Sequence, residues 1–214
     1  MNAGPLHELR LKTPRLELRL GSREELVDLG HLAQEGIRPR EEMPFEIPWT
    51  DRSGEPTFVE DFVAYHEDAL RAWKPNDWSL NLLAFLKSRP IGSQSIRSED
   101  FSTRREIDTG SWLGRAYQGQ GLGTEMRTAA LELAFRELGA TAAVSGSVVG
   151  NESSKRVSEK LGYEVVATSM IAPRGEPVTK YDLRIERGTW QALVPVEIEG
   201  AEECLALFGA SESA

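Results

Sequence analysis

The densest chemical signal in the chain lies between Gln118 and Thr124. It reads Q-G-Q-G-L-G-T, with Gly119, Gly121 and Gly123 at every second position. Glycine lets a backbone approach an anion closely and adopt positive φ. A helix that starts inside such a loop adds unpaired N–H groups and the positive end of its dipole, and the two together form a cradle for a pyrophosphate. A simple corner needs one glycine, so three in register point to a ligand. A dinucleotide-binding fingerprint would need an early βαβ unit and an acidic residue at a strand end about 20 positions on. A Walker loop would end in Gly-Lys-Ser/Thr. Neither pattern is present.

Other residues of chemical interest flank this loop. Glu106 and Asp108 lie two apart on a predicted strand and so share a face. Ser158 falls on a predicted short helix that follows Asn151. No histidine makes a comparable claim: His7 and His31 lack acidic or hydroxyl neighbours, and His66 reads as a surface or internally satisfied residue. Cys204 is the sole cysteine, so it has no disulfide or zinc partner and reads as a small, partly buried apolar side chain. No metal site is expected.

These residues need elements to hold them, and the pattern supplies a run of strands and helices. Residues 15–20 alternate polar and apolar as a half-buried strand, and Ser22 with Glu25 forms a capping box for a helix. Phe58, Phe62, Ala69 and Trp73 recur at helical spacing. Strands are predicted at 78–86, 91–97, 106–113, 141–149, 163–171 and 178–185, with helices at 121–138 and 152–161. Antiparallel strands followed by a βαβ crossover imply an α/β fold. We expect one mixed, mostly antiparallel sheet of about seven strands, with helices on both faces. The domain is drawn as residues 1–190, with a C-terminal strand and helix tail at 191–214.

Two further segments call for a role. Prolines keep residues 38–56 extended around Met43, Phe45, Ile47 and Trp49, so this loop either walls a pocket or seals the core. In the tail, residues 194–198 alternate like a strand, and Cys204, Leu205, Leu207 and Phe208 offer an apolar face. That face needs a cover, either a second copy in a homodimer or the chain's own sheet.

The chain has 214 residues, 40% hydrophobic and 28% charged, which is the profile of a soluble globular protein. Its 34 acidic and 25 basic residues give a net charge of −9. That argues against a nucleic-acid partner and mildly favours amine-bearing ones. Residues 1–11 lack an apolar signal core, and no stretch approaches about 18 apolar residues, so a cytoplasmic protein without a membrane partner is expected.

The loop Gln118-Gly119-Gln120-Gly121-Leu122-Gly123 resembles the pyrophosphate motif of the GNAT superfamily of N-acyltransferases. Trp112-Leu113 followed by Y-Q-G-Q-G-L-G-T-E-M is similar to its Rim-type branch. So are Thr13-Pro14-Arg15-Leu16-Glu17-Leu18-Arg19 and the stretch from Asn151-Glu152-Ser153-Ser154 to Leu161-Gly162-Tyr163. The motifs stand in the family's order across residues 13–186.

The resemblance implies a single GNAT-type domain in which an amine attacks a thioester directly, without an acyl-enzyme. The co-substrate would be acetyl-CoA or another acyl-CoA, and the acceptor a small-molecule amine or a protein N-terminus. Cofactor contacts are implied for Trp112, Leu113, Gln118, Gly119, Gln120, Gly121, Leu122, Gly123, Thr124 and Asn151. The pantetheine arm would pair with the edge of strand 109–114 where it parts from strand 141–149. Ser158 stands where many relatives carry a tyrosine and would assist the departing thiolate, or is a small polar residue on a helix face. Asp108 stands where the branch often has glutamate and would accept the amine's proton, with Glu106 beside it, or both are solvated carboxylates. Glu125 reads as structural, contacting a neighbouring loop. Succinyl-CoA or an acyl carrier protein as donor, or a non-catalytic acyl-CoA sensor, are the competing readings.

Overall fold

The computed structural model describes residues 4–39 and 41–210. Arg40 in the proline-rich loop, residues 1–3 and residues 211–214 of the tail lie outside them. The chain runs β1 (Arg10–Lys12), β2 (Leu16–Arg19), α1 (Arg23–Gln34), α2 (Phe58–Arg71), β3 (Asp77–Leu86) and β4 (Arg89–Glu99). It continues through α3 (Phe101–Arg104), β5 (Glu106–Leu113), α4 (Leu122–Glu132), β6 (Ala142–Val148) and α5 (Glu152–Lys160). The last strands are β7 (Glu164–Ile171), β8 (Val178–Glu186) and β9 (Glu197–Glu199). The predicted helix at 121–138 is α4 extended by one wider turn, Leu133–Glu137.

One nine-stranded sheet has the order β7-β8-β6-β5-β4-β3-β2-β1-β9. Among the described residues only β5 and β6 pair in parallel. The sheet is wider than the expected seven strands because β1 and β9 join it. β1 has three residues, too short for alternation to register in the sequence, and β9 (Glu197–Glu199) lies at the end of the alternation expected at 194–198 and belongs to the sheet instead of a separate tail. They pair with each other, Leu11 opposite Ile198, and β1 pairs with β2, Leu11 opposite Leu18.

Helices cover both faces. Leu83 and Phe85 of β3 pack against Leu26 and Leu29 of α1 and Phe62 and Val63 of α2. On the other face Met126, Ala129, Ala130 and Leu133 pack on Leu80, Ile96 and Ile107. The capping box forms as predicted: Ser22 Oγ accepts from the Glu25 N–H and the Glu25 carboxylate accepts from the Ser22 N–H.

Of the two forms expected for His66, the structure shows the internally satisfied one, and the residue is buried. Its Nδ1–H donates to the Phe62 carbonyl at 2.9 Å, and burial pulls its pKa down.

The tail lies within the same core. Phe208 is fully buried, edge-on to Trp78 at 4.8 Å and to Trp73 at 5.3 Å. The two indole N–H groups donate to the Leu207 and Phe208 carbonyls at 2.8 and 3.1 Å. Cys204 is buried as well, and burial pushes its thiol up to about 11. Phe208 and Cys204 are covered by their own chain's core, with Leu205 and Leu207 partly buried against it.

Candidate functional site

β5 and β6 pair only from Glu106–Asp108 to Ala142–Val144. Beyond that, β5 continues to Leu113 and β6 to Val148 without pairing to each other. The strands therefore part into a fork. Its apex is closed by Ser145 Oγ, which donates to the Thr109 carbonyl at 2.9 Å, and by Thr109 Oγ1, which donates to the Val144 carbonyl at 3.3 Å.

The glycine loop stands at the end of β5. Gly119 and Gly121 have φ of 73° and 78°, a left-handed conformation that side chains resist. Gly121 is the N-cap of α4 and supplies no side-chain cap, so the first-turn N–H groups of Leu122, Gly123 and Thr124 have no partner within the helix. A Cβ built on Gly119 would meet no atom within 4 Å, and one on Gly123 only Leu113 and Val157 at 3.7 and 3.8 Å. The loop offers main chain, as an anion cradle requires.

Most of the predicted side-chain contacts are engaged inside the protein. Gln118 Nε2 donates to the carbonyls of Ile37 and Leu113 at 2.9 and 2.8 Å, and Gln120 Nε2 to Ala116 at 2.8 Å. Leu122 and Leu113 are buried in the core. Thr124 accepts from Thr128 through its carbonyl. Asn151 Oδ1 caps α5 at the Ser154 N–H and also accepts from Arg38 Nη2 at 2.8 Å. Trp112 belongs to an aromatic cluster with Trp49 and Phe62. These contacts shape the loop and the fork.

Strand alternation gives the fork two faces. Glu106, Asp108 and Trp112 point to the front, the face covered by α1, α2 and the loop carrying Trp49. Both front carboxylates are ion-paired. Asp108 Oδ2 accepts from Arg97 Nη2 at 2.6 Å, and Glu106 is held by Arg104 at 3.3 Å and by Arg184. The proline-rich loop is tied over this face: Glu46 pairs with Lys180 of β8 at 2.7 Å, and Asp51 with Arg174 at 2.5 Å. A cleft of about 520 Å³ opens between this loop, the turn after β6 and the β7–β8 hairpin, lined by Arg38, Glu41, Val149 and Glu176 among others. A second cleft, of about 540 Å³, lies between α1, α2 and β3 and away from the fork.

The back face holds Thr109, Ser111 and, from α5, Ser158. Ser158 is fully buried. Its Oγ accepts from Nη1 of Arg127 at 3.1 Å. The same guanidinium reaches Ser145 Oγ at 3.4 Å and, through Nη2, Ser111 Oγ at 3.0 Å. Arg127 is 3% exposed and, among the described residues, pairs with no carboxylate, and its Nε has no partner. Burial lowers its pKa, and burial raises that of Tyr163 beside it.

Sequence reasoning missed Arg127. Its neighbours on α4 are apolar or small on nearly every side, and nothing in a single arginine distinguishes a buried one from an exposed one. In the sequence Arg15 stands out only as part of the Thr13–Arg19 motif. It reaches the loop through Nη1, which donates to the Gln120 carbonyl at 3.0 Å, and its Nη2 lies 3.5 Å from where a Cβ of Gly121 would stand. Glu125 takes the expected structural role, accepting from Thr13 Oγ1 at 2.6 Å, the Arg15 N–H at 2.9 Å and Arg15 Nε at 2.6 Å.

A family model described as an acetyltransferase (GNAT) domain matches residues 15–164. Among solved structures, Mycobacterium smegmatis RimJ in complex with CoA-disulfide is similar at a TM-score of 0.69 and 15% identity, over 94% of this chain and 95% of that one. The microcin C7 self-immunity acetyltransferase MccE, in complex with acetyl-CoA and AMP, is similar at 0.66 and 18% identity, over 81% and 93%. A GNAT-family acetyltransferase from Bacillus anthracis is similar at 0.61 and 17% identity, over 84% and 99%. Among the described residues no helix is long and apolar enough to cross a membrane.

Proposed function

The chain belongs to the GNAT acetyltransferase family, and from that premise we propose that it moves an acyl group from an acyl-CoA thioester to an amine by direct attack. The observation that carries this reading is the positive-φ glycine loop at the uncapped N-terminus of α4, set at the end of β5 where it parts from β6. The loop's amides would hold the pyrophosphate, with Arg15 adding positive charge at its rim. The unpaired edge of β5 would take the amides of the pantetheine arm, which carries the thioester into the fork.

The residues then divide the reaction between the two faces. An amine entering from the front meets the cleft lined by Glu41, Glu42 and Glu176, in which Arg38 and Arg174 are paired with Glu42 and Asp51. Three carboxylates against two already paired arginines suit an amine-bearing acceptor, whether a small molecule or a protein N-terminus. Asp108 receives the proton that nitrogen must lose, directly or through water, with Glu106 on the same face. On the back face the hydroxyl of Ser158 meets the sulfur. Membership in the Rim-type branch is part of the same proposal and rests on the loop, on Thr13 to Arg19 and on Asn151 to Tyr163.

The reading is tested by following free-thiol release with acetyl-CoA, succinyl-CoA and carrier-bound acetyl groups against a panel of amines. Amine-dependent thiol release is the expected outcome, with acetyl-CoA the leading donor. Faster release from a carrier-bound or succinyl donor would reassign the donor. CoA binding without release from any pair would leave a sensor and contradict the transferase reading.

A further inference from the structure

A buried cation without a counter-ion is costly. Burial strips the cation of its hydration, and a group that finds no opposite charge recovers little of that loss. Arg127 is such a group, and its surroundings are all neutral donors or acceptors: three serine hydroxyls, one from each of β5, β6 and α5. The ionisable groups whose charge acts on it are Tyr163 and Asp108. Tyr163 is held neutral by burial, and Asp108 turns to the other face of β5 and to Arg97. The guanidinium therefore sits behind the fork as an uncompensated positive charge, with its Nε unpartnered and buried.

Hydrogen-bond direction adds a second constraint. A guanidinium has no acceptor, so at each contact the serine oxygen accepts. At Ser145 the hydroxyl hydrogen is already donated to the Thr109 carbonyl. Ser158 Oγ has no further acceptor among the described residues, so its O–H is free to donate. A hydroxyl that accepts from a cation is also a stronger donor through its own hydrogen.

We propose that Arg127 is a positioning residue that acts through Ser158 to hold the leaving thiolate, supplying from behind the fork the positive charge that the developing sulfur anion needs. The proposal rests on the acyl-CoA reading of the fork. In the step, the nitrogen–carbon bond forms and the carbon–sulfur bond breaks with its electron pair on sulfur. Nitrogen's surplus proton leaves through the front face to Asp108 or water. Sulfur departs as a thiolate that accepts a hydrogen bond from the Ser158 hydroxyl, whose hydrogen stays on Ser158. The arrangement answers how a serine serves where many relatives carry the more acidic tyrosine: the serine is backed by a fixed charge in a site shielded from water.

The test reads the thiol itself. Free CoA is added to the full chain, and the ultraviolet absorbance of its thiolate is followed against pH in the wild type, Arg127→Met and Arg127→Gln. The thiol of bound CoA is expected to titrate at least about one pH unit below that of free CoA in the wild type. In both neutral variants it should return to the free value or above it. A wild-type thiol that titrates at or above the free value overturns the proposal and needs no variant to do so. A depression that survives unchanged in a folded variant overturns it equally. A wild type that binds no CoA in a thermal-shift assay contradicts the acyl-CoA reading itself, which separates that failure from the others.

Discussion

The two faces of the β5–β6 fork handle charge in opposite ways. On the front, Glu106 and Asp108 are partly exposed carboxylates matched by arginines, Asp108 by Arg97 of β4 and Glu106 by Arg104 of α3 and Arg184 of β8. On the back, α4 buries two charges two residues apart. Glu125 is saturated by Thr13 and Arg15, whereas Arg127 meets only hydroxyls. The contrast teaches that burial alone does not tell a structural charge from a poised one. What tells them apart is whether the protein itself supplies the opposite charge.

The largest expected effect sharpens that contrast on α4. Glu125→Ala removes a carboxylate that satisfies a hydroxyl, a backbone N–H and a guanidinium, so it should cost about 3 kcal/mol of stability. At roughly 2–4 °C per kcal/mol for a chain of this size, the melting temperature should fall by about 6–12 °C. Arg127→Met removes a buried charge without orphaning a partner charge, so its stability should change by no more than about 1 kcal/mol. Equal losses in calorimetric melts of the two variants would erase the distinction.

How much of this was legible beforehand differs between the faces for a physical reason. Gly119, Gly121 and Gly123 announce themselves because few side chains tolerate the left-handed backbone their loop needs. The strand alternation that places Glu106 and Asp108 on one face is equally visible in the chain. The pairing of Asp108 with Arg97 was not, since it depends on the register of β4 against β5, Arg97 opposite Asp108. Arg127 was hidden more deeply. Its partners come from Ser111, Ser145 and Ser158, residues that only the assembled fork brings together. The tail was ambiguous because its apolar side chains needed a cover that the sequence could not locate. Trp73, Trp78 and Phe101 provide it.

A smaller effect is expected on the front face. Asp108→Asn keeps the shape of the side chain and loses its proton affinity, so turnover should fall by about 10²-fold. The thermal stabilisation conferred by acyl-CoA should stay the same, because the carboxylate faces away from the glycine loop. Steady-state kinetics at several pH values, run beside melts with ligand, check both halves. A loss below about tenfold would assign the proton to water or to Glu106, and Asp108 would then be structural like Glu125.

The central claim is that the glycine loop at the N-terminus of α4 binds the pyrophosphate of an acyl-CoA. It is tested most directly by thermal melts of the wild type and Gly121→Val, each compared with its own unliganded melt. The substitution places a β-branched residue at φ 78°, where the loop amides could no longer hold their present arrangement. Millimolar acetyl-CoA should raise the melting temperature of the wild type, with the rise growing as the logarithm of its concentration. Gly121→Val should show no such rise, and a variant stabilised as much as the wild type would contradict the account.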